Sequence, residues 1–121
     1  FEALFAASTY IDLRRLPELY CGFVRQRGKG PTFYPVSCIP QAWAAAAPLF
    51  LLATVIGLGF NSQADQLMLD QPVLPSFLEE VVLRHLRLGS ASVDIALRGK
   101  QSKVVVDVLE RTGEIKVLTT N

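Results

Sequence analysis

The chain has 121 residues, with 12 basic and 11 acidic side chains and a formal net charge of +1. This balance, without a dense Lys/Arg face, gives no electrostatic footprint for nucleic-acid binding. Half of the residues are hydrophobic, which is rich for a short chain with much surface relative to its volume. We therefore expect a piece of a larger protein that opens at Phe1 inside a helix.

The first predicted element is a helix over residues 1–16. Apolar side chains recur there with the i, i+3, i+4, i+7 spacing of one buried helix face, and Pro17 disfavours helical geometry at the residue before it. A Gly- and Pro-rich segment follows over 18–39, and loops of that length are commonly functional. A second helix is predicted over 40–58, with Gly57 among the residues that close it.

Residues 30–64 carry no charged side chain, and the core of this stretch is long enough to span a bilayer. Pro40 and Pro48 interrupt it, and Ala44 to Ala47 are small rather than bulky. A helix buried on all sides inside a large helical protein has the same pattern. We therefore expect no membrane insertion and a cytoplasmic protein.

From residue 66 onward, apolar and polar residues alternate as they do in strands. The clearest alternating runs cover 67–69, 93–97 and 104–109. Gly89-Ser90 and Thr112-Gly113 are turn signals, and a change of phase near His85 predicts a β-bulge. We expect four or five antiparallel strands in a meander, with one face of the sheet packed on the helices and the other able to stay exposed.

Cys21 and Cys38 are the two cysteines, and neither lies in a CxxC pair. Together with a single histidine, His85, they cannot complete a zinc site. Free thiols are favoured, although a disulfide across the intervening loop stays open. We expect neither a metal nor a cofactor.

Glu18 lies just past the first predicted helix, beside Pro17, in an apolar neighbourhood. A carboxylate in a fixed position could act as a general base. On the residues alone, however, an ordinary glutamate satisfied by water or by a backbone amide is the favoured interpretation.

Three segments then carry a family resemblance. RLPELYCGF at 15–23, followed by a Gly/Pro-rich loop and YPVSCIPQAWAAAAPLFLL at 34–52, resembles the end of the catalytic domain of amylo-alpha-1,6-glucosidases, in the glycogen debranching enzyme family. PVLPSFLEEVVLRHLRLG at 72–89 resembles the small β region that follows this domain in bacterial members. The resemblance covers nearly the whole chain, and it implies a six-hairpin (α/α)6 toroid domain.

The resulting expectation is an α+β chain. Residues 1–60 would form the last helical hairpin of the toroid, and residues 61–121 would form an antiparallel β tail. The family hydrolyses α-1,6-glucosidic linkages in glycogen-like glucans with inversion, and the resemblance implies that Glu18 is the general base. The general acid would lie on an earlier toroid loop that this chain does not contain, so we expect the chain alone to be inactive.

Three further residues fit a sugar site. Tyr34 and Trp43 could stack on a glucose ring, and Gln41 could hydrogen-bond its hydroxyl groups; simple packing of the toroid wall is as good an interpretation of each ring. The expected partner is an α-glucan oligosaccharide or polysaccharide, with self-association of the chain where its helices lack neighbours. Two alternatives stay open: another toroid α-glucosidase, and a non-catalytic module that binds carbohydrate or mediates assembly.

Overall fold

The computed structural model describes residues 1–100 and 103–120; the other three positions, which belong to the predicted 61–121 tail, lie outside the described residues. The chain forms two compact units, Phe1–Leu52 and Ala53–Asn121. The boundary between the two units, after Leu52, comes earlier in the chain than the predicted boundary between the helical hairpin at 1–60 and the β tail at 61–121. Two α-helices precede six strands, so the α+β class is confirmed.

The first helix, α1, covers Glu2–Ser8 and is much shorter than predicted. The Ser8 hydroxyl donates to the carbonyl of Phe5 and the Thr9 hydroxyl to that of Ala6, both at 2.7 Å. Such side-chain bonds compete with the helical ladder and favour helix ends. A short 3-10 turn, Asp12–Arg14, follows, in which Leu13 has a positive φ of 54°. The helix therefore ends well before Pro17.

The second helix, α2, covers Ala42–Val55 and contains Pro48. It begins two positions after Pro40, and Gln41 directly precedes its first residue. The Ile39–Pro40 peptide is cis. At its far end the predicted closing glycine is confirmed: Gly57 has a φ of +63° and donates its N–H to the carbonyl of Thr54.

The strands of the second unit form two three-stranded sheets. Their bounds are β1 Leu58–Asn61, β2 Gln66–Asp70, β3 Glu80–Leu88, β4 Ala91–Lys100, β5 Lys103–Thr112 and β6 Lys116–Thr120. β3, β4 and β5 form the expected antiparallel meander, and Gly89-Ser90 makes the turn between the first two. In the other sheet β1 is antiparallel to β2, whereas β2 and β6 are parallel, with Leu67 opposite Val117. The prediction of one wholly antiparallel meander is therefore wrong.

The predicted bulge is confirmed on β3. Leu83 pairs with Ile95 and Leu86 pairs with Val93, so the two residues between them face the single residue Asp94. His85, in the bulge, has a positive φ of 55°. A second irregularity lies on the other side of β4, between the pairs made by Asp94 and Ile95 with β5.

The core of the second unit draws on both sheets. Its most buried large side chains are Ile56, Leu67, Leu69, Val93, Ile95 and Leu97. The expected inward faces of β2 and β4 are thus confirmed. On β4, however, Asp94 and Ala96 of the opposite face are buried too, so the face that was expected to be able to stay exposed is covered at these two positions.

Among the described residues, no helix has both the length and the apolar character needed to cross a membrane.

Candidate functional site

Residues 16–21 and residues 32–41 form an irregular antiparallel ribbon in the first unit. The Glu18 N–H donates to the carbonyl of Cys38 and the Cys21 N–H to that of Thr32, each at 2.9 Å. Tyr20 and Phe33 form an isolated bridge between these two bonds. The predicted long loop is therefore a paired structure, and its pairing fixes the backbone on both sides of Glu18.

Closing the base of the ribbon, the N–H of Gln41 donates to the carbonyl of Leu16 at 3.4 Å. Leu16 and Pro17 are buried, whereas Glu18 is half-buried. The bond between Gln41 and Leu16 joins the LPE segment, residues 16–18, to the QAW segment, residues 41–43. The two segments are separated in sequence by more than twenty residues and are neighbours in the fold. An isolated motif search could find each segment, but the contact between them depends on backbone pairing that only the structure reveals.

The Glu18 carboxylate is held by a neutral backbone donor. Its Oε2 accepts a hydrogen bond from the Cys38 N–H at 3.4 Å. Among the described residues, no Lys or Arg side chain lies within ion-pair distance of this carboxylate. A carboxylate has about four lone-pair positions for hydrogen bonds, so most of them are available to water or to another donor.

Two buried hydroxyl groups belong to residues that are close in sequence to Glu18 and to its partner Cys38. Tyr20 lies two residues after Glu18, and Ser37 directly precedes Cys38; within the described part of the chain neither hydroxyl has a hydrogen-bond partner. Burial raises the pKa of the Tyr20 phenol above its ordinary value of 10.0, because a phenolate would lose hydration there. Unpaired buried hydroxyls are uncommon in folded proteins and call for an explanation such as a ligand or an ordered water.

The aromatic residues of the ribbon have different environments. The rings of Tyr20 and Phe33 are stacked, with their centroids 6.2 Å apart and an interplanar angle of 27°. Tyr34 is 50% exposed and Trp43, in the first turn of α2, is 66% exposed. Tyr34 and Trp43, both predicted for sugar binding, are therefore exposed to solvent. The rings of Tyr20 and Phe33 stack on each other.

Gln41, the third predicted sugar-binding residue, has a structural role at the start of α2. Its side-chain oxygen accepts a hydrogen bond from the N–H of Ala42 at 3.2 Å, and its backbone carbonyl accepts one from the N–H of Ala45. The orphan amide groups of a helix start are commonly satisfied in this way. The side-chain amide group of Gln41 keeps donor hydrogens that could reach a hydroxyl group.

Among the described residues, no hydrogen bond places a second carboxylate beside Glu18. Asp12 opens the 3-10 turn in the first unit. Asp65 and Asp70 belong to the second unit, where Asp70 accepts a hydrogen bond from the Thr120 hydroxyl.

Sequence reasoning missed the most buried carboxylate, Asp94, which is 4% exposed. It accepts hydrogen bonds from the N–H of His85 at 2.7 Å and from Arg84 Nη1 at 3.3 Å. Both donors belong to residues of the β3 bulge. The carboxylate thus satisfies the backbone N–H of His85, which the bulge takes out of the ladder, and it pairs with the Arg84 guanidinium. The alternating pattern places Asp94 on the face of β4 opposite Val93, Ile95 and Leu97, which was expected to be able to stay exposed.

Cys21 and Cys38 are free thiols. The Cys21 thiol lies 3.5 Å from the carbonyl oxygen of Phe33. No group of three or more His, Cys, Asp or Glu side chains among the described residues is arranged to hold a metal ion.

In comparisons with known proteins, no family model, no curated protein and no solved structure matched this chain.

Proposed function

We propose that this chain is the carboxyl-terminal part of an inverting glycoside hydrolase that cleaves α-1,6-glucosidic linkages in glycogen-like glucans, with Glu18 as its general base. The observation that carries the proposal is the state of the Glu18 carboxylate. It lies in the LPE segment at a fixed point of the ribbon, where a backbone N–H, and no cation among the described side chains, holds it.

This arrangement suits proton abstraction from water. A general base must lie within hydrogen-bond reach of the water that it deprotonates. A carboxylate locked against an arginine would have fewer lone pairs free to accept a hydrogen bond from that water. Glu18 forms no such ion pair with a described Arg or Lys side chain. Its own N–H is bonded to Cys38, and the Gln41–Leu16 and Cys21–Thr32 bonds fix the ribbon on either side of it.

The first unit, to which Glu18 belongs, also has groups that suit a glucose unit. Tyr34 and Trp43 present exposed aromatic faces, which stack on the C–H face of a sugar ring. We propose Tyr34, Gln41 and Trp43 as substrate-binding residues on this basis.

An inverting hydrolase requires a second carboxyl group, roughly 6.5–9.5 Å from the base, to protonate the leaving oxygen. Asp12 and Asp70 are poorly suited to that role, because Asp12 belongs to the short 3-10 turn and Asp70 is engaged with Thr120. We therefore propose that the acid comes from the part of an (α/α)6 toroid that precedes this chain. The chain by itself would then bind glucan weakly and hydrolyse nothing.

A Glu18→Gln substitution in the complete enzyme tests the proposal. The amide keeps the shape of the side chain but cannot take a proton, so we expect the rate of hydrolysis of an α-1,6-linked oligosaccharide to fall roughly 10²–10⁴-fold while the affinity for that oligosaccharide is retained. A Glu114→Gln variant, in the second unit, is the matched control and should keep full activity. Normal turnover by the Glu18→Gln enzyme would reject the proposal and favour a non-catalytic carbohydrate-binding or assembly module.

A second substrate, a different α-glucoside, distinguishes the proposed enzyme from another toroid α-glucosidase. If the enzyme hydrolyses a different α-glucoside faster than the α-1,6-linked one, and Glu18→Gln abolishes that activity, the chain belongs to another kind of toroid α-glucosidase.

A further inference from the structure

A cleft of about 470 Å3 lies in the first unit between α1 and the tip of the ribbon. Ligand pockets for small molecules have volumes of roughly 300–1,000 Å3, so this cleft has room for one small compound. Glu18 is not among its lining residues, so a ligand bound here would not depend on the catalytic role of that residue.

One wall of the cleft is apolar and shallow. Ala3, Ala6 and Ala7 of α1 line it, and their i, i+3, i+4 spacing places them on one face of the helix. Because an alanine side chain is a single methyl group, this face leaves space that larger residues would fill. The wall can therefore accept the flat body of a small molecule.

The opposite wall carries positive charge. Arg25 and Lys29 line the cleft, and a turn closed by the bond from the Lys29 N–H to the carbonyl of Gln26 joins them. An adjoining recess of about 370 Å3 shares both cations and adds Arg27. None of the residues that line either space is acidic, and among the described residues none of the three cations forms an ion pair.

The cations are thus free to bind an anion from solution. Arg and Lys side chains form short, charge-assisted hydrogen bonds with phosphate oxygens, and a concave surface of a single sign of charge concentrates ions of the opposite sign. Gln26 and Thr32 add neutral donors and acceptors at the same cleft, which can hydrogen-bond the hydroxyl groups of a ligand.

Gly30 keeps the cleft in shape. A Cβ atom at this position would lie 2.8 Å from Cβ and Cγ of Tyr10, which is too close for any real contact. The backbone of the ribbon tip can therefore approach the Tyr10 ring only because residue 30 is glycine. Tyr10 lines both the cleft and the recess, so moving its ring would change both.

We propose that this cleft binds a small organic phosphate with a hydroxylated body of monosaccharide size, its phosphate held by Arg25 and Lys29 and its body lying against α1 and Tyr10.

Isothermal titration calorimetry on the full 121-residue chain tests the proposal with three probes: a hexose monophosphate, inorganic phosphate and the free hexose. We expect saturable binding of the hexose monophosphate, weaker binding of inorganic phosphate and no detectable binding of the hexose. Added salt should weaken the binding, because it screens exposed charges. No saturable binding of the hexose monophosphate, or equal affinity for inorganic phosphate, would overturn the proposal.

Variants then locate the site. Arg25→Gln and Lys29→Gln should each weaken the binding of the hexose monophosphate by at least about tenfold, since each removes a charge-assisted hydrogen bond. Gly30→Ala should weaken it as well, because Tyr10 must move. Arg111→Gln, which removes an exposed cation from β5 in the second unit, is the control and should bind as the unaltered chain does. If Arg25→Gln and Lys29→Gln bind as tightly as the control, the cleft is not the site.

Discussion

At the scale of single residues, Tyr20 combines a stabilising ring contact with an unfavourable hydroxyl. Its ring stacks on Phe33, whereas its buried hydroxyl has no partner among the described residues. An unsatisfied buried polar group costs about 1–3 kcal/mol. We expect Tyr20→Phe to leave the free energy of unfolding unchanged or to raise it by about 1 kcal/mol, measured by chemical denaturation. A loss of stability on removing the hydroxyl would show that it has a partner in the folded chain.

The same residue predicts a pH dependence. Burial raises the pKa of the Tyr20 phenol above 10.0, so the folded chain holds this proton more tightly than the unfolded chain does. The favourable contribution of this protonated phenol to the free energy of unfolding is fully present below pH 10. It is lost as the pH rises through the raised pKa of the folded state. Stability measured across this range should fall less steeply in Tyr20→Phe than in the unaltered chain. Identical slopes would contradict the assignment of the raised pKa to this residue.

Asp94 tests whether a buried carboxylate organises the β3 bulge. Asp94→Asn weakens the bonds to Arg84 and to the N–H of His85, and we expect a loss of about 1–3 kcal/mol of stability, because Asp94 is buried and hydrogen bonds to charged groups are strong. The matched control is Asp107→Asn in the same sheet. Its ion pair with Arg98 is half-exposed, so the loss there should be below about 1 kcal/mol. Equal losses in the two variants would contradict a special role for Asp94.

At the scale of elements, Gly57 determines how α2 passes into β1. Its φ is +63°, and an added Cβ would lie 1.9 Å from the carbonyl oxygen of Asp70. We expect Gly57→Ala to destabilise the second unit by at least about 2 kcal/mol, because it adds a backbone clash to the left-handed conformation.

Gly89→Ala separates these two effects. Gly89 has a φ of +60° with nothing within 4 Å of the added atom, so only the conformational part, about 1–2 kcal/mol, should appear. Amide hydrogen exchange of the β2 and β4 core reports both losses, and a Gly89→Ala loss as large as that of Gly57→Ala would contradict the clash.

The elements also show which parts of the fold were accessible from sequence. The β3–β4 turn at Gly89-Ser90, the bulge at His85 and the buried faces of β2 and β4 were predicted, because each depends on the local alternation of side chains. The length of α1 was not, since the apolar spacing continues beyond Ser8 while the Ser8 and Thr9 hydroxyls favour an end there.

Long-range pairing was the other part that local patterns did not reveal. β2 and β6 are parallel neighbours although nearly fifty residues separate them, and no local alternation encodes that partner. The candidate site has the same character: Glu18, Gln41, Tyr34 and Trp43 could be named from their segments, but the bonds that place Leu16 beside Gln41 and Glu18 beside Cys38 join distant positions. The buried hydroxyls of the ribbon follow from that pairing and had no separate sequence signal.

At the scale of the whole molecule, exposed apolar surface is the dominant feature. No residue of α2 is buried, and Trp43 and Leu49 are 66% and 72% exposed. Burying apolar surface stabilises an association by roughly 25 cal/mol per Å2, and exposed apolar patches of this kind are typical of interaction surfaces. In the proposed enzyme, the remaining toroid helices would cover this face.

We therefore predict that the isolated chain associates with itself as its concentration rises, and light scattering over a concentration series measures this. Leu49→Glu should reduce the association, because it places a charge on the exposed face of α2. Val73→Glu, at another exposed apolar position but in the loop between β2 and β3, should not. A clean monomer at high concentration, or equal effects of the two variants, would contradict the prediction.

The most direct test of the central claim uses a Glu18→Ala variant of the complete enzyme with added azide. Without the carboxylate, no base deprotonates the attacking water and hydrolysis slows strongly, whereas azide is already an anion and attacks the anomeric carbon without a base. The glycosidic bond breaks as the new C–N bond forms, and the leaving oxygen takes its proton from the general acid. We predict that azide restores turnover and that NMR identifies the product as the β-glucosyl azide, inverted relative to the α-linked substrate. Full activity of Glu18→Ala without azide, or a variant that binds substrate but forms no azide product, would contradict the account.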